Sequence, residues 1–434
     1  MQGDGPTMHR CNRSTIGIIM AACGCVVVFA LGALAGDDDK DDRAKILEDR
    51  LKVLRSVPYT MVTEEEVSPE DAGVVTNLST KTYLGYNIYC ERLSSSVVLM
   101  DMDGNTVHTW TYPDKQPRQW DHAVMFPNGD VVVIRKFHDI LRLDWNSNLI
   151  WRCEINAHHE ITPLPDGSLL VAAREIHIHR GLRVRFPAIV RLDATGKEIA
   201  RWSTYDHLDE IKRAFDQRSF IDTILDSLVA EGIDPETWEP LTARAESAKA
   251  EVDARPLRYD QFHLNTISII PETPIGKIDQ RFAAGNMLVC FRNVNQIAVL
   301  AGDTGDVLWV WGEGELEWPH HPTVVPSGNI LIFDNGTRRK YSRVIELNPL
   351  TEEIEWQYVG DPPGSFFTPE KGSCQRLPNG NTLICEGDMG RCFEVTASGE
   401  IVWEWYNPAF MGRHRVQIYR MTRLAPDLVE PLLR

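Results

Sequence analysis

Positive charge is scarce in this sequence. It holds 45 Lys and Arg against 62 Asp and Glu, for a formal charge of −17 at pH 7. General nucleic-acid binding needs a basic surface to displace counterions, so that class is excluded. The nine cysteines include no C-x-x-C pair, and without one nothing signals a zinc or thioredoxin-type site. Wholesale disorder is excluded by a content of 43% hydrophobic and 25% charged residues. The 434 residues exceed one average domain, yet a single large all-β domain can absorb most of them.

Charge is missing altogether from Ile16 to Ala35, "IGIIMAACGCVVVFALGALA". About 20 apolar residues suffice for a helix to cross a bilayer. His9, Arg10 and Arg13 precede the run and "DDDKDD" follows it. The positive-inside rule then predicts a cytoplasmic tail over 1–14, a transmembrane signal anchor over 15–36, and the bulk of the chain on the periplasmic or extracellular side. A cleaved signal peptide ending at Ala33–Ala35 is the alternative. Residues 37–80 are polar and acidic and read as a stalk. An exported location permits disulfides, but the sequence does not choose the pairs.

What the chain has in quantity is a repeat. A tight turn and an apolar strand recur as "FPNGDVVVI" from Phe126, "LPDGSLLVA" from Leu164, "AAGNMLVCF" from Ala283, "VPSGNILIF" from Val325 and "LPNGNTLIC" from Leu377. The turn dipeptides supply the positive φ of hairpins, and the runs after them are those of buried strands. Each copy is followed by a second strand closing on tryptophan. These are Trp151, Trp202, Trp311, Trp356 and Trp405, with Trp110 in an earlier copy. Their spacing is that of four-stranded propeller blades. The fold expected is all-β, a six-bladed β-propeller over 81–425, with a C-terminal tail over 426–434. The first blade lacks its inner-strand turn, so His414–Leu424 is expected to supply that strand and close the ring. The long interval from Trp202 to Trp311 holds a helical insertion over 204–255, with apolar residues three and four apart. The tryptophans report blade packing rather than chemistry.

Chemistry is sought at the starts of the inner strands. Seven residues before the turn glycine lie His122, Glu160 (after His158 and His159), His321 (beside His320) and Ser373. The fourth copy begins "FHLN", with His263. Arginines follow several of these strands: Arg135, Arg174, Arg292, and Arg338 with Arg339 after "FDNGT". Guanidinium forks hold sulfate, phosphate or carboxylate, and imidazole serves as nucleophile or acid/base. Histidines and arginines meeting at one axis would form an oxyanion pocket. A ring of neutral imidazoles could instead hold copper or zinc.

The stretches "FRNVNQIAVLAGDTGDVLWVWGEG", "PHHPTVVPSGNILIFDNG" and "YSRVIEL" resemble the arylsulfate sulfotransferase family. The resemblance extends over roughly residues 83–425, apart from the insertion. It implies a six-bladed propeller that moves a sulfuryl group from an aryl sulfate ester to a phenol through a sulfohistidine, with no nucleotide donor and no cofactor. By motif it assigns catalytic roles to His263, His321 and Arg339. His122 and His159 are candidates for the acid/base imidazole, while Arg292, Arg338, Asn335 and His320 are expected to bind substrate. No metal site is assigned. One departure is plain: the last blade has Ser373 and Cys374 where the family's channel carries a further histidine. The alternative function is a non-catalytic exported propeller that binds a ligand or protein partner, with the helical insertion projecting as a docking arm.

Overall fold

The computed structural model describes residues 61–113, 119–180, 182–215, 220–230 and 259–434. Its strands form six antiparallel sheets of at least four strands each, arranged as a six-bladed propeller. The inner strands are Trp120–Met125, Ala157–Pro163, Leu264–Ile269, His320–Val324, Ser373–Arg376 and Met421–Leu424, in blades 2 to 6 and then 1. They pack against one another around the axis. The last of them pairs with Tyr86–Glu91, Leu424 opposite Tyr86 and Met421 opposite Tyr89, so the C-terminal stretch does close the ring.

Four tryptophans explain how one blade grips the next: Trp110, Trp151 and Trp356 of the repeat, and Trp403 in place of Trp405. Trp110 Nε1 donates to Gly129 O of blade 2 (3.2 Å), and Trp151 Nε1 to Ala194 O of blade 3 (3.1 Å). Trp356 Nε1 reaches Ala397 O of blade 6 (2.8 Å), and Trp403 Nε1 returns to Met102 O of blade 1 (2.9 Å). Each indole thus covers the neighbouring blade's turn while its ring fills the gap between sheets. Two turns need glycine for this. Gly196 and Gly305 have φ of +82° and +79°, and a Cβ there would lie 2.6 Å from Trp151 and 2.4 Å from Trp202.

Several boundaries differ from the sequence expectation. Residues 61–80 are not stalk: Gly73–Asn77 adds a fifth strand to blade 6 against Ile401–Tyr406, and Val62 bridges to Val416. The segment 426–434 is no loose tail, because Val429 is fully buried in the blade 1–2 core with Trp110 and Trp120. Blade 3 carries an overlong hairpin, Leu169–His179 with Leu182–Leu192, and Tyr259–Asp260 joins it in parallel. Helices α1 (Leu208–Ala214) and α2 (Ile221–Ala230) of the insertion lie on this side of the molecule. They pack down instead of projecting. Ile211, Phe215, Phe220, Ile221 and Leu225 are buried, and Asp222 accepts from His179 Nε2 (2.7 Å). The rest of the insertion falls outside the described residues.

The expected span 15–36 also lies outside them. Among the described residues no helix is long and apolar enough to cross a membrane. Cys90, Cys153, Cys290, Cys374, Cys385 and Cys392 are free thiols. The indole latches generate a prediction. Trp110→Ala, at a fully buried site, should cost about 3–5 kcal/mol and lower the thermal unfolding midpoint. An unchanged midpoint would show that the blades do not depend on that ring.

Candidate functional site at the propeller axis

The inner strands are irregular where they begin. In blades 2 to 5 the register slips near the first residues, at Trp120/Ala123, Val171/Ala173, Leu264/Thr266 and His320/Thr323. Bulges of this kind re-aim side chains. Three histidines at these positions have left-handed backbone: His159 (φ 64°), His263 (φ 55°) and His321 (φ 48°). For a non-glycine residue that conformation costs of order 1–3 kcal/mol and is retained where surrounding structure enforces it.

The result is convergence between blades. His159 Nε2 of blade 3 lies 3.0 Å from His263 Nε2 of blade 4. His263 Nδ1 in turn lies 2.7 Å from Asp260 Oδ2. The carboxylate fixes the proton of His263 on Nδ1, leaving a lone pair on Nε2 that accepts from His159. His158 packs beside both rings, with centroids 4.8 Å from His159 and 6.1 Å from His263. Arg174 and Arg185 of the overlong hairpin join His158, Asp260 and His263 in lining a tight recess with room for about one water. The two guanidinium groups on its wall suit the oxygens of an anion. Buried Arg292 binds from the next strand end, its N–H on His263 O (3.2 Å) and its guanidinium 4.4 Å over the Trp318 ring.

A second group adjoins the first. Arg420, just before the closing strand, makes two bonds to Glu160 (2.9 and 3.0 Å). His122 Nε2 lies 3.4 Å from the same guanidinium. His321 Nδ1 donates to Cys374 O (2.8 Å). His320 Nδ1 meets Asn335 Oδ1 (2.7 Å) and Trp318 O (3.0 Å), while its Nε2 is buried with no partner among the described residues. A buried polar atom left unpaired costs about 1–3 kcal/mol, so its retention needs a reason.

The sequence-predicted residues therefore divide. His122, His159, His263, His320, His321 and Arg292 reach the axis, and Asn335 supports His320. Arg339 does not come with them. Its guanidinium bonds Asp334 Oδ2 (2.9 Å), Asp334 O (2.8 Å) and Tyr341 O (3.0 Å), which pins its own loop. Arg338 points to solvent, with a side chain 73% exposed beside Glu317. Sequence reasoning did not propose Asp260, Arg174, Arg185, Glu160 or Arg420 as site residues. Arg174 and Glu160 had a signal, because they occupy the same register as Arg292 and His122. Among the described residues no three His, Cys, Asp or Glu side chains converge as metal ligands.

Burial governs the electrostatics. It pulls His263 down to about 4, with the Arg292 charge adding to it and Asp260 opposing. His320 falls to about 3 for the same two reasons, burial and then Arg292. Burial also lowers His122, His158, His159 and His321 well below the ordinary imidazole range. It raises Glu160, against the pull of Arg420. At neutral pH the axial imidazoles are thus uncharged, with lone pairs available.

This arrangement makes the fold acid-sensitive. Below about 6.5 the unfolded chain's histidines take up protons. The folded site resists until much lower pH, near 4 for His263. Unfolded chain then binds more protons than folded, and stability falls as pH falls. The thermal midpoint should drop steadily between pH 6.5 and 4, and scanning fluorimetry across that window checks it. A flat profile would contradict buried neutral imidazoles.

No curated protein sequence matches the chain. Similar solved structures include a protein of unknown function from Bacteroides caccae, 14% identical with a TM-score of 0.46, covering 77% of this chain and 97% of that one. A catalytically inactive virginiamycin B lyase from Staphylococcus aureus, solved with quinupristin, is 10% identical with a TM-score of 0.40, covering 80% and 88%. A family model described as arylsulfotransferase (ASST) matches residues 122–408, well over half of the sequence. The chain belongs to the arylsulfotransferase family.

Proposed function

We propose that the protein moves a sulfuryl group from an aryl sulfate ester to a phenol, without a nucleotide donor, through a sulfated His263. The observation that carries this reading is the Asp260–His263 pair among arginines at the axis. The Nε2 lone pair of His263 attacks sulfur, and the S–O bond to the aryl group breaks to release a phenolate. Asp260 stabilises the positive charge that the attack leaves on the ring. Arg174, Arg185 and Arg292 supply cationic donors for the sulfuryl oxygens. His159 caps the lone pair until substrate displaces it. The phenol then attacks the sulfohistidine, and His263 returns to its starting state, a ping-pong cycle. Placing the nucleophile in blade 4 accounts for the sixth blade's having Ser373 in place of a histidine.

A chromogenic aryl sulfate with a phenol acceptor tests the reading. Phenolate release is expected, together with the mass of one sulfuryl group on the peptide containing residue 263. His263→Asn should lower the rate at least about 10³-fold. Asp260→Asn should lower it by about 10²–10⁴ through loss of the correct tautomer. Wild-type protein that releases no phenolate and carries no labelled histidine would sink the proposal.

We further propose that residues 15–36 anchor the chain, with the propeller on the exported side, on the charge pattern flanking the apolar run. Protein expressed with its native N-terminus should resist carbonate extraction and require detergent. A mature chain that begins after Ala35 and stays in the aqueous fraction would argue for cleavage instead.

A further inference from the structure

His320 differs from the other axial histidines in how completely its hydrogen bonds are determined. Its Nδ1 faces two acceptors, Asn335 Oδ1 at 2.7 Å and Trp318 O at 3.0 Å. Asn335 cannot turn its amide around, because both N–H groups are held by carbonyls, Thr368 O at 2.5 Å and Lys371 O at 2.7 Å. Nδ1 must therefore carry the proton, and Nε2 must be a bare lone pair. The residue is 1% exposed, and that lone pair meets no donor among the described residues. The ring is tied to the His263 strand through two residues. Trp318, whose carbonyl holds His320, is the residue under Arg292, and Arg292 binds the His263 backbone. Asn265 Nδ2 donates to Pro319 O (2.8 Å) and locks the two blades at this level. The His263 and Arg292 charges both act on His320.

We propose that His320 is the general base of the acceptor half-reaction, its Nε2 taking the proton of the incoming phenol. The assignment rests on the sulfuryl-transfer reading and adds the acceptor class to it: a neutral hydroxyl donor. As the phenol O–H breaks, its proton passes to His320 Nε2 and its oxygen forms a bond to sulfur. The S–N bond to His263 breaks, and the electron pair returns to His263 Nε2. The new aryl sulfate leaves, and His320 releases its proton to solvent. Burial, with the Arg292 charge adding to it, keeps Nε2 unprotonated at neutral pH. An acceptor that is already a phenolate has no proton to give and gains nothing from this group.

The test separates the two half-reactions. His320→Asn can still donate to Asn335 but has nothing at the Nε2 position. The first phenolate burst from a chromogenic aryl sulfate should keep its amplitude. Steady-state turnover with a weakly acidic phenol should fall by about 10²–10⁴. With a phenol ionised at the assay pH, the loss should shrink to less than about tenfold. Wild-type turnover of both acceptors, equal loss for both, or loss of the burst at an unchanged melting point overturns the assignment. If the variant does not fold, wild-type protein decides. Turnover of the neutral phenol should show a solvent deuterium effect that the burst does not, and its absence overturns the assignment. A wild-type protein without any burst overturns the transfer reading and this assignment together. A wild-type burst with an acceptor-independent variant overturns this assignment alone.

Discussion

Removal of imidazole from water is the constraint on which the rest of this protein depends. In bulk solvent near neutral pH these rings would be part protonated and fully hydrated. At the axis they are neutral and close together. That state is costly to reach, because it demands left-handed histidines, slipped strand registers and, at His320, a buried Nε2 that finds no partner among the described residues. Only a scaffold with a large surplus of burial can hold it. Six sheets, with indole latches at four of their junctions, provide that surplus.

The arrangement of charge follows the same logic. The arginines near the axis are not free cations; Arg420 is committed to Glu160 by two bonds, and Asp260 answers the charges of Arg185 and Arg292. Each carboxylate keeps the local field from becoming one-signed, so the chain can bury guanidinium groups without expelling them. The recess that remains beside His263 has room for about one water and is cationic on one wall, which favours the oxygens of an anion over a bulky neutral ligand.

Much of the architecture was legible in the sequence because it repeats. Turn glycines and tryptophans recur at blade spacing, and a residue counted from the glycine has the same height in every blade. That register found His122, His321 and Arg292. It failed where the chain leaves the repeat. Arg339 follows a strand much as Arg292 does, but a positive-φ turn at Gly336 sends it back to its own loop. Asp260 lies between the insertion and its blade, where no register applies. Arg420 comes from a strand that has no turn glycine, so nothing marked its height. The segment 61–80 read as stalk because its composition is polar, yet a blade edge needs only backbone groups to recruit a strand.

The ring is shut by Met421–Leu424, and Arg420 arrives with it. Synthesis runs from the other end, and earlier blades can form as they emerge. Until residue 424 is available, blade 1 has an open edge and Glu160 has no counter-ion. A nascent chain that has not yet exposed residue 424 therefore carries an open wheel with an unfinished hub. A message cut before that residue yields a product without the Arg420–Glu160 pair, and so without a complete axis.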